Sequence, residues 1–298
     1  MSARRAGALA ACAADAHAGT PAMPRTPGAR LEVRALRKSY SSGDGARLVA
    51  LEDVSLHAAA GEFVALIGPS GCGKSTLFHI LAGLADPDAG EVLIDDAVLG
   101  RRLGACAFMP QRDGLLPWRR TIDNVTVGLS LAGTGRQQAH ARARPLLERF
   151  GLGGFERAWP WQLSVGMRHR AAFLRTVLLG RPAMLLDEPF GALDGITRAE
   201  LQQWLLGVWE QVGSTVMLIT HDVAEAVYLA DRVYVLSPRP GRVAAEIRID
   251  LPRPRPPELL GSQQFASQEA ILREALRTHA GLGSGFRAPA PPRAPAGR

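Results

Sequence analysis

Lysine is almost absent: of 35 basic Lys and Arg residues only Lys38 and Lys74 are lysines. Cysteine is nearly as scarce, and Cys12, Cys72 and Cys106 lie far apart without metal-ligand spacing, which excludes a disulfide framework and a zinc site. No stretch approaches the roughly 18 to 20 uncharged apolar residues of a membrane span, so any crossing falls to another chain. What remains is 298 residues, 47% hydrophobic and 21% charged, enough for a full-sized soluble core.

The net charge of +7 raises the question of nucleic acid, but its placement argues against it. Residues 1–30 and 281–298 each carry +3, which leaves +1 for everything between. Both ends, rich in Ala, Gly, Pro and Arg, read as disordered tails. The Arg4-Arg5 start followed by an alanine-rich run falls short of a secretory signal, and Met23 is a second candidate start.

One of the two lysines stands in Gly68-Pro69-Ser70-Gly71-Cys72-Gly73-Lys74-Ser75-Thr76, the spacing of a phosphate loop. Glycines let successive backbone N–H groups turn onto an anion, and a compact ammonium fits where a forked guanidinium does not. The apolar run Phe63–Ile67 before it suits a strand buried on both faces, and a helix from Lys74 to about Leu84 supplies a positive dipole end. A nucleoside triphosphate site follows. Cys72, inside the loop, is expected to be alkylated unless nucleotide protects it.

Ala183–Leu186 is a second apolar strand, ending in Asp187-Glu188. Asp187 suits Mg²⁺ beside the Ser75 hydroxyl, and Glu188 is placed to polarise an attacking water. Thr215–Ile219 delivers Thr220-His221-Asp222 to the same edge, where ligands bind in parallel sheets. Leu31–Tyr40 and Leu48–Leu56 alternate and read as antiparallel strands. From Ile122 to Leu179 the period is helical, with Val125, Leu129 and Leu131, then 139–150, then 167–179. Ser164 is placed to cap the last of these helices. Val243–Ile249 closes the sheet, Pro252–Pro257 reads as a rigid linker, and Gln268–His279 as an amphipathic helix.

These ordered motifs resemble the ATP-binding cassette subunit of ABC transporters over roughly residues 31–250. The resemblance implies an α/β P-loop NTPase fold with a RecA-like parallel core, an N-terminal antiparallel β subdomain and a helical insert at about 120–180. A linker and helix at 251–280 follow. It implies ATP and Mg²⁺, with Tyr40 stacking on adenine, Gly68 to Thr76 holding phosphates, and Ser75, Gln111 and Asp187 at the metal. Glu188 would be the base, His221 the switch histidine, and Asp194 a dimer contact. Leu163-Ser164-Val165-Gly166-Met167 would be the signature, where Ser164 and Gly166 complete the site of a second copy. Val165 stands where the family has glycine.

Gly114–Arg119, Asp187–Asp194 and Ser237–Val243 look like the nitrate, sulfonate and taurine importers, and related subunits serve pyrimidine precursors of thiamine. The resemblance therefore implies a homodimer, a separate permease seated near Leu115, Leu116, Pro117 and Trp118, and a periplasmic binding protein. The place would be the cytoplasmic face of the inner membrane. Soluble ABC ATPases acting on nucleic acid or ribosomes are the alternative. The roughly fifty residues between Gln111 and Leu163 are too few for a long coiled coil, and no second phosphate loop exists.

Overall fold

The computed structural model describes residues 25–41, 47–191 and 193–279. Residues 1–24 and 281–298 of the tails, Cys12, Met23 and Ala192 lie outside the described residues. Residues 25–30, read as tail, instead pack on the domain: the Thr26 N–H donates to the Val212 carbonyl at 2.9 Å, and Ala29 is buried, its carbonyl accepting from the Thr215 hydroxyl at 2.6 Å. The strands are β1 (Leu31–Ser41), β2 (Arg47–Ala58), β3 (Phe63–Ile67), β4 (Ala89–Ile94), β5 (Ala97–Val98), β6 (Ala107–Met109), β7 (Ala183–Asp187), β8 (Thr215–Ile219), β9 (Arg232–Leu236) and β10 (Val243–Arg248). The helices are α1 (Lys74–Leu81), α2 (Thr121–Val125), α3 (Val127–Leu131), α4 (Arg136–Arg149), α5 (Val165–Leu178), α6 (Gly195–Val212), α7 (Val223–Leu229) and α8 (Gln263–His279).

Two sheets form. One is antiparallel with order β2-β1-β4-β5; the other runs β10-β9-β3-β8-β7-β6, parallel except where β10 meets β9. Continuous apolar runs made β3, β7 and β8 the buried strands, and all five residues of each are buried. Their side chains alternate between two cores. Phe63, Ala65 and Ile67 join Met184, Leu186, Val216 and Leu218 in packing on α5, α6 and α7. Val64 and Leu66 join Leu185, Met217 and Ile219 in packing on α1 and the antiparallel sheet. The fold is an α/β P-loop architecture, and four helices, α2 to α5, stand between β6 and β7.

Several sequence expectations shift. The first helix stops at Leu81, where Ala82 and Gly83 close it, three residues short of Leu84. Leu131, placed on the helical pattern with Val125 and Leu129, is 86% exposed at the end of α3. The largest correction is the proline-rich linker. Arg255 inside it is buried, and its Nη1 donates to the carbonyls of Val227, Tyr228 and Ala230 at 2.8–3.1 Å, occupying the last turn of α7. Arg253 adds bonds to Asp231 and the Leu229 carbonyl, so the segment is fastened to the domain, and α8 packs over α7.

Candidate functional site

Parallel register aligns the strand ends. Asp187 pairs with Ile219, and the residues that follow β3, β7 and β8 are Gly68, Glu188 and Thr220-His221. A cleft of about 600 Å³ opens at that edge, lined by Tyr40, Ser70, Gly71, Gly73, Lys74, Ser75, Thr76, Glu188 and His221, together with Leu48, Ala50 and Arg239. Tyr40 is partly exposed on β1, with the Lys38 ammonium 5.4 Å from its ring centre.

The phosphate loop folds around its own lysine. Lys74 Nζ donates to the Gly68 carbonyl at 2.8 Å and the Pro69 carbonyl at 3.0 Å. Gly73, at φ 105°, precedes α1, and a Cβ there would stand 2.7 Å from the Ala50 carbonyl oxygen. Only glycine serves both demands. Cys72 departs from expectation: its side chain is buried in the core beneath the loop, with Sγ 3.6 Å from Lys74 Nζ. Gly68 and Pro69 likewise form the back of the loop rather than the cleft surface.

Two side chains converge on Glu188. Gln111 Nε2 donates to Glu188 Oε2 at 2.9 Å, and His221 Nδ1 lies 3.6 Å from the same oxygen. Glu188 itself has φ +45°, a left-handed backbone that non-glycine residues rarely adopt; its N–H is held by the Ile219 carbonyl at 3.0 Å. Next to it Asp187 is buried and has no ion pair among the described residues. Burial pushes its pKa up, while a hydrogen bond from the Ser75 hydroxyl and the Lys74 charge pull it back.

Asp187 and Ser75 are a donor set of hard oxygens, and no cluster of three or more His, Cys, Asp or Glu that could hold a metal alone occurs among the described residues. That chemistry fits Mg²⁺, which takes few protein ligands and completes its shell with phosphate and water. Gln111, bound to Glu188 through its amide nitrogen, has its amide oxygen as the group to offer.

Ser164 and Gly166 stay apart from this cleft. Ser164 caps α5, its Oγ accepting from the Met167 N–H at 3.2 Å, and Gly166 lies against Thr197 of α6. Val165 is 42% exposed at the start of the same helix. Asp194 caps α6 by accepting from the Thr197 N–H at 3.1 Å, and these backbone bonds hold its carboxyl below the usual range. Of the apolar run after Gln111, Leu115 belongs to the core, whereas Pro117 and Trp118 are exposed.

Two arginines escaped the sequence reading. Arg198 joins the segment before Asp194 to the one after His221, through the Leu193 carbonyl at 3.0 Å and Asp222 Oδ2 at 3.2 Å. Arg239 lines the cleft itself. Only the resemblance of Ser237–Val243 to the nitrate, sulfonate and taurine importers touched the segment that carries it.

A phosphate loop at one strand end, with an acid pair and a histidine at the next two, defines a P-loop ATPase cassette. The ABC transporter family model matches residues 51–191. The taurine import ATP-binding protein TauB of Yersinia pestis bv. Antiqua is 44% identical over 201 residues, 67% of this chain and 79% of that one. The aliphatic sulfonates import ATP-binding protein SsuB of Rhodopseudomonas palustris is 44% identical over 261 residues, 86% of this chain and 87% of that one. The dimeric post-hydrolysis structure of the ATP-binding cassette MJ0796, bound to ADP and Pi, superposes with a TM-score of 0.65 at 30% identity, covering 74% of this chain and 99% of that one. The chain belongs to the ABC transporter ATP-binding family.

Proposed function

We propose that this chain hydrolyses ATP to drive uptake of a small organic anion of the sulfonate class. The observation that carries the reading is the convergence of Gln111 and His221 on Glu188 at the mouth of the phosphate loop. In it, Glu188 orients and deprotonates the attacking water, Lys74 neutralises the phosphates, and His221 senses the γ-phosphate. Magnesium held by Ser75 and Asp187, with the Gln111 amide oxygen, supplies charge neutralisation on the phosphates when bound. Tyr40 stacks on the base. Ser164 and Gly166 lie outside the cleft of their own chain, so they serve the nucleotide of a second copy, with Asp194 at the same contact. The dimeric solved relative supports that arrangement.

No helix among the described residues is long and apolar enough to cross a membrane. In this reading a separate permease, as the import ATP-binding relatives imply, carries the solute. It seats on the exposed Pro117-Trp118 edge beside Leu116, and Leu115 anchors that edge in the core. Peripheral attachment at the cytoplasmic face and a periplasmic binding protein belong to the same reading. The sulfonate class follows from the relatives, which are import ATP-binding proteins for taurine and for aliphatic sulfonates.

The test is reconstitution with a permease and a binding protein of the sulfonate-import type from the same organism, in vesicles loaded with ATP, measuring uptake of labelled taurine, an alkanesulfonate, nitrate and a pyrimidine. Sulfonate uptake that vanishes in Glu188→Gln is expected. Uptake of nitrate or pyrimidine alone would overturn the substrate class, and unaltered ATPase in Glu188→Gln would overturn the catalytic assignment.

A further inference from the structure

We infer that Arg239 is a second cationic contact to the phosphate chain of the nucleotide, an inference that rests on the ATP reading of the cleft. Its guanidinium lies on the outer rim of the phosphate loop, where Nε and Nη2 donate to the Gly71 carbonyl at 3.1 and 2.8 Å. A guanidinium carries five N–H donors, so three remain uncommitted among the described residues. The side chain is exposed and lines the same cleft as Lys74, Ser75 and Thr76. Among the described residues lining that cleft, Lys74 and Arg239 are its two fixed cations.

The turn that presents Arg239 is built to hold still. Ser237 and Arg242 close it by paired bonds, with Ser237 N–H on the Arg242 carbonyl at 3.0 Å and Arg242 N–H on Ser237 Oγ at 3.1 Å. Gly241 donates to the Ala50 carbonyl at 3.0 Å and accepts from the Glu52 N–H at 2.9 Å, which ties the turn to β2. Arg242 adds a 2.7 Å ion pair to Glu52. Because the guanidinium is already docked on Gly71, a bound triphosphate engages it with little further loss of rotamer freedom. A Gly71 carbonyl at an exposed rim could be satisfied by water, so the bond alone gives no reason for an arginine there. The charge does.

The test titrates the full chain with ATP, ADP and adenosine by calorimetry, comparing wild type with Arg239→Gln and Arg239→Lys. Glutamine keeps a donor for Gly71 and removes the charge. ATP affinity is expected to fall about tenfold in Arg239→Gln, the scale of one charge-assisted hydrogen bond at an exposed site. ADP affinity should fall with it, adenosine affinity should hold, and the gap should narrow in about 1 M salt. Lysine should restore part of the loss. Wild-type ATP affinity in Arg239→Gln, or an equal loss for ATP and adenosine with a lowered melting temperature, would overturn the proposal by leaving the turn only a structural role. Failure of the wild-type chain to bind ATP would instead refute the ATP reading.

Discussion

Gly241→Ala should damage nucleotide binding from outside the phosphate loop. A Cβ at Gly241 would stand 2.0 Å from the Cys72 carbonyl oxygen and 3.3 Å from that of Ala50. Carbon and carbonyl oxygen approach comfortably at about 3.3 Å, so the turn and the loop must separate by roughly an ångström. Both walls are backbone, and neither has a flexible side-chain end to swing aside. Overpacking of this kind costs about 1–3 kcal/mol, which lowers the melting temperature by roughly 2–4 °C per kcal/mol in a domain of this size. The binding penalty should be the larger effect, because the Cys72 carbonyl precedes Gly73 and the start of α1. Moving it misaims donors that each contribute about 1.5–3 kcal/mol to a charged ligand. ATP affinity is expected to fall at least about tenfold by calorimetry. Gly207→Ala is the control: a Cβ there meets nothing within 4 Å on α6, and the change should stabilise slightly. Unchanged melting temperature and ATP affinity in Gly241→Ala would refute the reasoning.

On the proposed reading that α5 begins against the nucleotide of a second copy, Val165→Gly should raise the ATP turnover of the dimer by removing an exposed β-branched side chain from that contact; an unchanged or reduced rate sinks this. Trp118, 70% exposed, should tolerate replacement by Ala without loss of stability or basal ATPase while transport by the reconstituted system collapses; loss of basal ATPase would make it a folding residue. Burial, with the nearby Asp222 charge adding to it, pushes Glu225 from 4.5 up to about 8, against the opposing pull of Arg198, Thr220 and Gln202. The folded chain therefore keeps a proton that the unfolded chain releases, and the resulting stability is full below pH 4.5 and lost as pH rises through about 8. Melting temperature should fall between pH 5 and 8, and Glu225→Gln should flatten that slope; an identical slope in the variant counts against it.

The parallel core was readable because Phe63–Ile67 and residues 216–219 are uniformly apolar, a pattern set by burial on both faces. The phosphate loop, the acid pair and His221 were readable because each stands at the end of such a strand or within two residues of it. β4 escaped since Pro87-Asp88-Ala89-Gly90 has the composition of a turn, and only β1 at its side shows that Gly90, at φ 91°, is needed where the backbones nearly touch. Cys72 was misjudged because sequence does not say which side of a loop faces the ligand. The contacts of Arg198, Arg239 and Arg255 join residues 4 to 168 positions apart and end on backbone carbonyls or a carboxylate that no local pattern marks. In a chain with 35 basic residues, a functional arginine has no compositional contrast.

The plug that Arg255 places in the last turn of α7 gives the C-terminal segment mechanical leverage. Asp222 caps the first turn of that helix next to His221, and seven residues, about 10 Å of rigid rise, separate the two ends. A helix gripped at its far end transmits displacement instead of absorbing it. Load on α8, from a bound regulator or a pulling handle, would therefore arrive at the histidine beside Glu188.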